Sequence, residues 1–265
     1  MFQFSIKGWR IVSNRMATDE QWRAWARGEI SPDSLPEFRP ELGWLPAMQR
    51  RRLNTPARLM MDAMSPLLAE GEHLPVVYSS HDGEINRSLA LWLSLMRGEG
   101  VSPTSFGLSV HNALVGQWSM LRQDMSESSA ICVREEGLEA AFAEAVPMFD
   151  EGVEQVMVVV TDDPAAAEHR LPVLRAPLSY ALAFVLVPGT DWQLSCIHHA
   201  LPGRSPAQGV TLSVAPAAHL ASPASGADQL GPYWGALDWV KQMLIGADDF
   251  TLHYSLRDWR WQRLR

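Results

Sequence analysis

The stretch Ser102-Pro103-Thr104-Ser105-Phe106-Gly107-Leu108-Ser109-Val110-His111-Asn112-Ala113-Leu114-Val115-Gly116-Gln117-Trp118-Ser119-Met120 decides how this chain is read. Its Ser-Pro start and small polar residues predict a turn and a short loop. Val110, Ala113, Leu114 and Trp118 then recur at helical spacing, which predicts a helix with one apolar face. His111 and Asn112 fall side by side on the first turn of that helix. A polar pair opening an apolar helix makes this stretch the first candidate site.

Upstream, Phe2 to Val12 reads as a strand with Phe4, Ile6 and Trp9 inward. Thr18-x-x-Gln21 has the pattern of a capping box, with Trp22 and Trp25 following on one helical face. Residues 28–47 carry Pro32, Pro36, Pro40 and Pro46 and predict a loop. Gln49-Arg50-Arg51-Arg52-Leu53 follows, and Thr55-Pro56 opens a helix striped by Leu59, Met60 and Met64. Pro75 to Ser79 is a short buried strand ending in the turn Ser80-His81-Asp82-Gly83-Glu84, and Ile85, Leu89, Trp92, Leu93 and Met96 mark the next helix.

Downstream, Ser129 to Val133 is a strand, Glu136 to Phe149 a helix, and Val153 to Thr161 the clearest buried strand of the chain, ending at Asp162-Asp163. This alternation predicts an α/β layered fold. Strands are then expected over 178–187, 192–197 and 210–214, and Ser222 to Gly226 is a small-residue loop. Pro232 opens a helix bearing Trp234, Leu237, Val240, Met243 and Leu244. A last strand, Phe250 to Leu256, leads into the Trp- and Arg-rich tail Arg257 to Arg265, which either packs on the body or docks an acidic partner. One domain over 1–265 is expected.

The totals restrict the function. The 265 residues carry a net charge of −8, which excludes a general nucleic-acid binder because no positive field attracts phosphate. Positive charge is nearly all arginine, Lys7 and Lys241 being the lysines, and there are 11 tryptophans. Cys132 and Cys196 lie in apolar runs and predict buried thiols in a reducing cytosol. The apolar run 176–188 is too short to span a bilayer as a helix. No cofactor loop is present: the Gly-x-Gly-x-x-Gly and Walker patterns are missing, and no Cys/His spacing suggests a metal. His198-His199 with Asp162 and Asp163 is a poor metal set, because adjacent strand residues point to opposite faces.

Two motifs remain. Gly107-Leu108-Ser109-Val110-His111 half matches the nucleophile elbow of α/β-hydrolases, but His111 stands where that elbow needs glycine, and no buried strand precedes it. The run Arg50-Arg51-Arg52 with Arg58 is either a solvated face or a dock for a phosphate or an acidic partner protein.

Together, Ser79-Ser80-His81-Asp82-Gly83-Glu84 and Ser102-Pro103-Thr104-x-Phe106-x-x-Ser109-Val110-His111-Asn112-Ala113-x-x-Gly116, with Gln49 to Leu53, resemble the short β-ketoacyl-synthase-like N-terminal domain proteins of bacterial aryl-polyene clusters. The resemblance covers essentially the whole chain. It implies a thiolase-like α/β fold whose first half is a mixed five-stranded sheet flanked by helices. The core would span 1–190 and an abbreviated second half 191–265. It also implies where the chain departs from an active synthase. Counting back from Gly137 puts Arg134 at the nucleophile position, and counting from Gly152 puts Glu135 there. Cys132 falls earlier, inside the strand, where it is expected to point into the fold. The histidines of active synthases lack a counterpart motif, His199 and His219 standing without the surrounding glycines.

The resemblance therefore implies a cytoplasmic, non-catalytic subunit of the chain-length-factor kind. It would pair with an active β-ketoacyl synthase, need no cofactor, and present Thr104, Ser105, Phe106, Ser109, His111 and Asn112 at the interface and acyl tunnel. Arg50, Arg51, Arg52 and Arg58 would then be candidates for docking an acyl carrier protein. The alternative is an independent acyltransferase using Cys132 or a hydrolase using Ser109.

Overall fold

A computed structural model describes residues 1–133, 135–164, 176–198 and 234–264. The strand expected at 210–214, the loop at Ser222, the helix start at Pro232, and Arg134, His199, His219 and Arg265 lie outside the described residues.

The first strand, β1, runs Phe2–Ser13, and helix α1, Asp19–Ala26, follows with the expected capping box. Gln21 N donates to Thr18 Oγ1 while Gln21 Oε1 accepts from Thr18 N, so two otherwise unpaired amides are satisfied reciprocally. After the proline-broken loop come α2, Ala47–Arg52, and α3, Thr55–Met64, the latter capped by the Asn54 side chain. Strand β2, Val76–Ser80, helix α4, Ile85–Met96, and helix α5, Pro103–Gly107, precede α6, Ala113–Arg122. Strand β3, Ser128–Cys132, helix α7, Gly137–Ala145, and strand β4, Val156–Asp162, complete the alternating part.

Three strands and a helix remain. Strand β5 is a single run, Tyr180–His198, where two strands are expected from sequence. The break between those two segments is real but local. The β1–β5 register jumps from Phe4↔Trp192 to Ser5↔Val187, so residues 188–191 bulge out. Gly189 sits in that bulge, where a Cβ would come 1.9 Å from Ser5 Oγ. Helix α8, Gly235–Leu244, and the hairpin β6, Asp249–His253, with β7, Arg257–Arg263, end the described chain.

The order β3-β2-β4-β5-β1 forms the expected mixed five-stranded sheet. Strands β3 and β4 pair parallel to β2, while β5 is antiparallel to both β4 and β1. Strand β7 joins the second half of β5, from Trp192↔Arg263 to His198↔Arg257, and carries β6 on its outer edge. The segment expected as a tail is thus an interior strand, with Trp261 fully buried and Trp259 nearly so.

Successive residues of β4 and β5 face opposite sides, and each side has its own core. Val156, Val158, Val160, Leu182, Phe184 and Leu186 pack with α1, α7 and α8. Met157, Val159, Ala181, Ala183 and Val185 pack with α3 and α6. The sheet is therefore sandwiched between two helical layers, and its strands are apolar on both faces, as buried strands must be.

Candidate functional site

The opening stretch divides where one helix was expected. Ser102 caps α5, whose last turn ends at Gly107, and the chain turns again before α6 starts at Ala113. Val110 precedes the helix and is exposed, while Ala113, Leu114 and Trp118 are buried as the periodicity predicts. Asn112 takes the N-cap position of α6 without a side-chain hydrogen bond to it. His111 reaches back to the end of β2. Its Nε2 lies 3.4 Å from Ser80 O, and its ring lies 5.4 Å from the Tyr78 ring. Gly83, at φ 54°, permits this approach, since a Cβ there would meet His111 Cδ2 at 2.8 Å. Ser109 Oγ donates to Phe106 O at 2.8 Å, which is a turn-closing bond. Thr104 and Phe106 are exposed, and Ser105 is half-buried.

Helix α4 packs beside this stretch, with Ser88 Oγ donating to Ser109 O. It reads Ile-Asn-Arg-Ser-Leu-Ala-Leu-Trp-Leu-Ser-Leu-Met, yet none of its 12 residues is buried. Trp92 is 63% exposed, Leu95 60% and Met96 70%, and Phe106 is 64% exposed beside them. Strand β3 is the sheet's outermost strand on this side among the described residues.

The second candidate lies at the C-terminal ends of β2 and β4, against the N-terminus of α7. A cavity of ≈ 30 Å³ there is lined by residues that include Ser79, His81, Glu135, Gly137, Asp162 and Trp234. That is room for roughly one or two water molecules. Asp162 closes its floor. Its Oδ2 accepts from Tyr180 Oη at 2.9 Å and Trp234 Nε1 at 3.1 Å, and its Oδ1 accepts from His81 N at 2.7 Å and Ser80 Oγ at 3.3 Å. Burial pushes this carboxyl up to about 6, opposed by its donors. The group is a satisfied anchor for the turn after β2 and for Trp234.

At α7 the helix N-terminus is occupied from within. Glu135 Oε2 accepts from Ser255 N at 2.9 Å. Glu136 pairs with Arg257 at 2.7 Å and accepts from Trp259 Nε1 at 2.5 Å. Glu139, fully buried, accepts from Tyr254 Oη at 2.7 Å and Trp261 Nε1 at 3.0 Å, and burial lifts it to about 7. The β6–β7 hairpin thus lies against the start of α7. Sequence reading missed this link. Its signal was three glutamates crowded at the start of an otherwise apolar helix, with indole donors spaced two apart in the tail.

Cys132 is the last residue of β3 and is exposed, the opposite of the inward orientation expected. It lies at the sheet's edge, and its Sγ donates to His81 O at 2.9 Å. Partial burial, Asp82 and Asp162 all raise its pKa, so the thiolate is suppressed. Cys196 is half-buried. His198 is separated from Asp162 by its place far along β5, and no metal-holding group of three His, Cys, Asp or Glu exists among the described residues. None of the described helices is long and apolar enough to cross a membrane.

Arg50, Arg51 and Arg52 form the last turn of α2. Arg58, on α3, is only 6% exposed and donates to Pro40 O and Arg50 O, so it lies beneath the surface that the other three present.

The family model for beta-ketoacyl synthase, N-terminal domain, matches residues 22–262. A chain of the ketosynthase ApeO in complex with its chain length factor ApeC from Xenorhabdus doucetiae superposes with a TM-score of 0.77 at 21% identity, covering 99% of this chain and 100% of that one. The ishigamide ketosynthase/chain length factor gives 0.55 at 16% identity over 74% of this chain and 67% of that one. A beta-ketoacyl synthase from Burkholderia phymatum STM815 gives 0.53 at 13% over 75% and 65%. No curated protein matches in sequence.

Proposed function

This chain belongs to the beta-ketoacyl synthase N-terminal domain family and has the thiolase-like ketosynthase fold, and from that premise we propose that it is a chain-length-factor-like subunit. In this reading it is cytoplasmic and catalytically silent, and it heterodimerises with an active β-ketoacyl synthase. It shapes that enzyme's acyl tunnel during aryl-polyene or polyketide-type elongation on an acyl carrier protein.

The observation that carries the proposal is α4. A 12-residue helix is marginal in water without a packed face, and this one carries Trp, Leu and Met with no residue buried. Trp92, Leu95 and Met96, with Phe106 and Val110 of the neighbouring turn, form the kind of apolar face that marks an interface. The solved relatives include complexes of a ketosynthase with a chain length factor, and by that likeness the occupant is an active synthase. Two features support the division of labour. The glutamates at the start of α7 are taken up by the β6–β7 hairpin, and in this reading the condensing thiol comes from the partner. In this reading the tunnel lies between subunits and Phe106, exposed beside α4, lines it.

The test is co-expression with the active synthase of the same organism, followed by reconstitution with a carrier protein. The wild-type chain co-purifies. Trp92→Asp loses the complex while keeping the far-UV spectrum and melting temperature of the isolated chain. Phe106→Ala or Phe106→Trp keeps the complex and changes product length. An acyl adduct on the chain alone, abolished by Cys132→Ala, would sink the proposal in favour of an independent acyltransferase.

A further inference from the structure

The arginine cluster lines a part of the surface away from α4. Two clefts, of ≈ 250 and ≈ 500 Å³, share Arg39, Pro40 and Arg58 in their walls. The first adds Arg50, Arg51 and Glu41. The second adds Asn14, Glu37, Phe38, Asn54 and Thr55, Glu37 being paired with Arg15. Among the described residues, none of Arg39, Arg50, Arg51 or Arg58 has a carboxylate within ion-pair distance, although the chain as a whole is acidic. Three of these four guanidinium groups are held by backbone carbonyls instead. Arg39 Nη2 donates to Leu53 O at 2.7 Å, Arg50 Nη1 to Glu41 O at 2.9 Å, and Arg58 Nη1 to Pro40 O at 2.8 Å.

Arg58 is the sharpest part of this arrangement. It is 6% exposed, and its Nε is buried without a hydrogen-bond partner. A buried cation next to two others is costly, and an unpaired donor on it adds to the cost. Both costs are relieved by one anion in the cleft. Arg39 comes from the loop, Arg50 and Arg51 from α2, and Arg58 from α3, so the donors approach from three directions. Each guanidinium pairs bidentately with a phosphate, which offers three or more acceptor oxygens to donors from different elements. Arg58 lines the cleft while only 6% exposed, so a small anion that enters the cleft reaches it more readily than a flat acidic protein surface does. The adjoining larger cleft offers Phe38, 38% exposed, and the amides Asn14 and Asn54 to whatever organic body the phosphate carries.

We infer that the cleft between Arg39, Arg50, Arg51 and Arg58 is a binding site for a phosphate group on a small organic molecule, whose body lies along Phe38. The inference stands independently of the heterodimer, since α4 is not part of either cleft.

The experiment is calorimetric titration of the full chain with inorganic pyrophosphate, ADP and a poly-glutamate peptide at near-physiological salt, repeated on single variants. Pyrophosphate and ADP are expected to bind and to raise the melting temperature. Arg51→Gln should weaken both by about tenfold, the worth of one charge-assisted contact. Arg52→Gln, just outside the cleft lining, should change them by less than about twofold, as a screened surface charge does. Phe38→Ala should weaken ADP and spare pyrophosphate. Equal losses in Arg51→Gln and Arg52→Gln would mean diffuse surface attraction and overturn the site. So would binding of poly-glutamate with no binding of either phosphate.

Discussion

Glu139 offers the most quantitative prediction. It is fully buried on α7, with Tyr254 Oη and Trp261 Nε1 as its donors, and burial raises it from an ordinary 4.5 to about 7. In the unfolded chain the carboxyl releases its proton near the ordinary value, whereas the folded chain holds it until about pH 7. Between those values the folded state binds more protons, so stability falls as pH rises. Below about 4.5 both states are protonated and the contribution is at its full favourable extent. The shift of about 2.5 units corresponds to about 3 kcal/mol across the whole range. Asp162 acts in the same direction, but its folded value of about 6 places most of its effect at lower pH. Between pH 6 and 7, then, Glu139 dominates over Asp162 and removes about 1 kcal/mol. The assay is urea unfolding of the wild type and of Glu139→Gln at half-unit pH steps, comparing midpoints at constant m. The amide keeps an acceptor for Trp261 and a partner for Tyr254 but cannot ionise. Its stability should fall less steeply with pH than the wild type's over this window, and at pH 8 it should be the more stable protein. Identical pH slopes for the two proteins would refute the assignment of a protonated, buried Glu139.

Two further substitutions test the same architecture. Gly235→Ala would place a Cβ 2.1 Å from Tyr254 Oη, so it should displace the phenol, cost about 1–3 kcal/mol and steepen the pH dependence by depriving Glu139 of a donor, all readable in the same titration. Thr18→Ala removes the acceptor for Gln21 N and should lower stability by about 1 kcal/mol without altering either cleft or the α4 face, as thermal unfolding of the variant would show.

Much of this architecture is written locally. The strands β2 and β4 begin as apolar runs, Val76 to Tyr78 and Val156 to Val160, and the capping box at Thr18 and the Pro-led start of α3 are chemical signals with a mechanism, so they translate directly. The errors come from features that tertiary context decides. The spacing of Val110, Ala113, Leu114 and Trp118 is helical, but Ser109 Oγ and the contacts of His111 with Ser80 and Tyr78 divert the chain before Ala113. Cys132 sits in an apolar run, yet β3 is an edge strand and leaves the residue exposed. The tail alternates Trp259 and Trp261 with Arg260 and Gln262, which is strand periodicity. The density of charge hides that pattern until β5 supplies the partner. The candidate site is the least legible part. Ser105, Ser109 and His111 are visible as a motif. That α4 goes uncovered, and that β7 seals α7 through Glu136 and Glu139, depends on pairings more than 100 residues apart.

The doubly bordered segment of β5 has a kinetic consequence. Gln193 lies opposite Gln3 of β1 on one edge and Gln262 of β7 on the other. Closing the sheet therefore means bringing together residues at the two ends of the described chain with one in its last third. Such non-local pairings carry their loop-closure entropy before any contact repays it, and they slow folding. The alternating β2-to-β4 region can assemble from nearer neighbours. Docking of β1 and β7 on β5 is then the late step, and it is the step that buries Trp261 and gives Glu139 its indole donor. Until it completes, α7 exposes its glutamates and the second half of β5 offers two open edges.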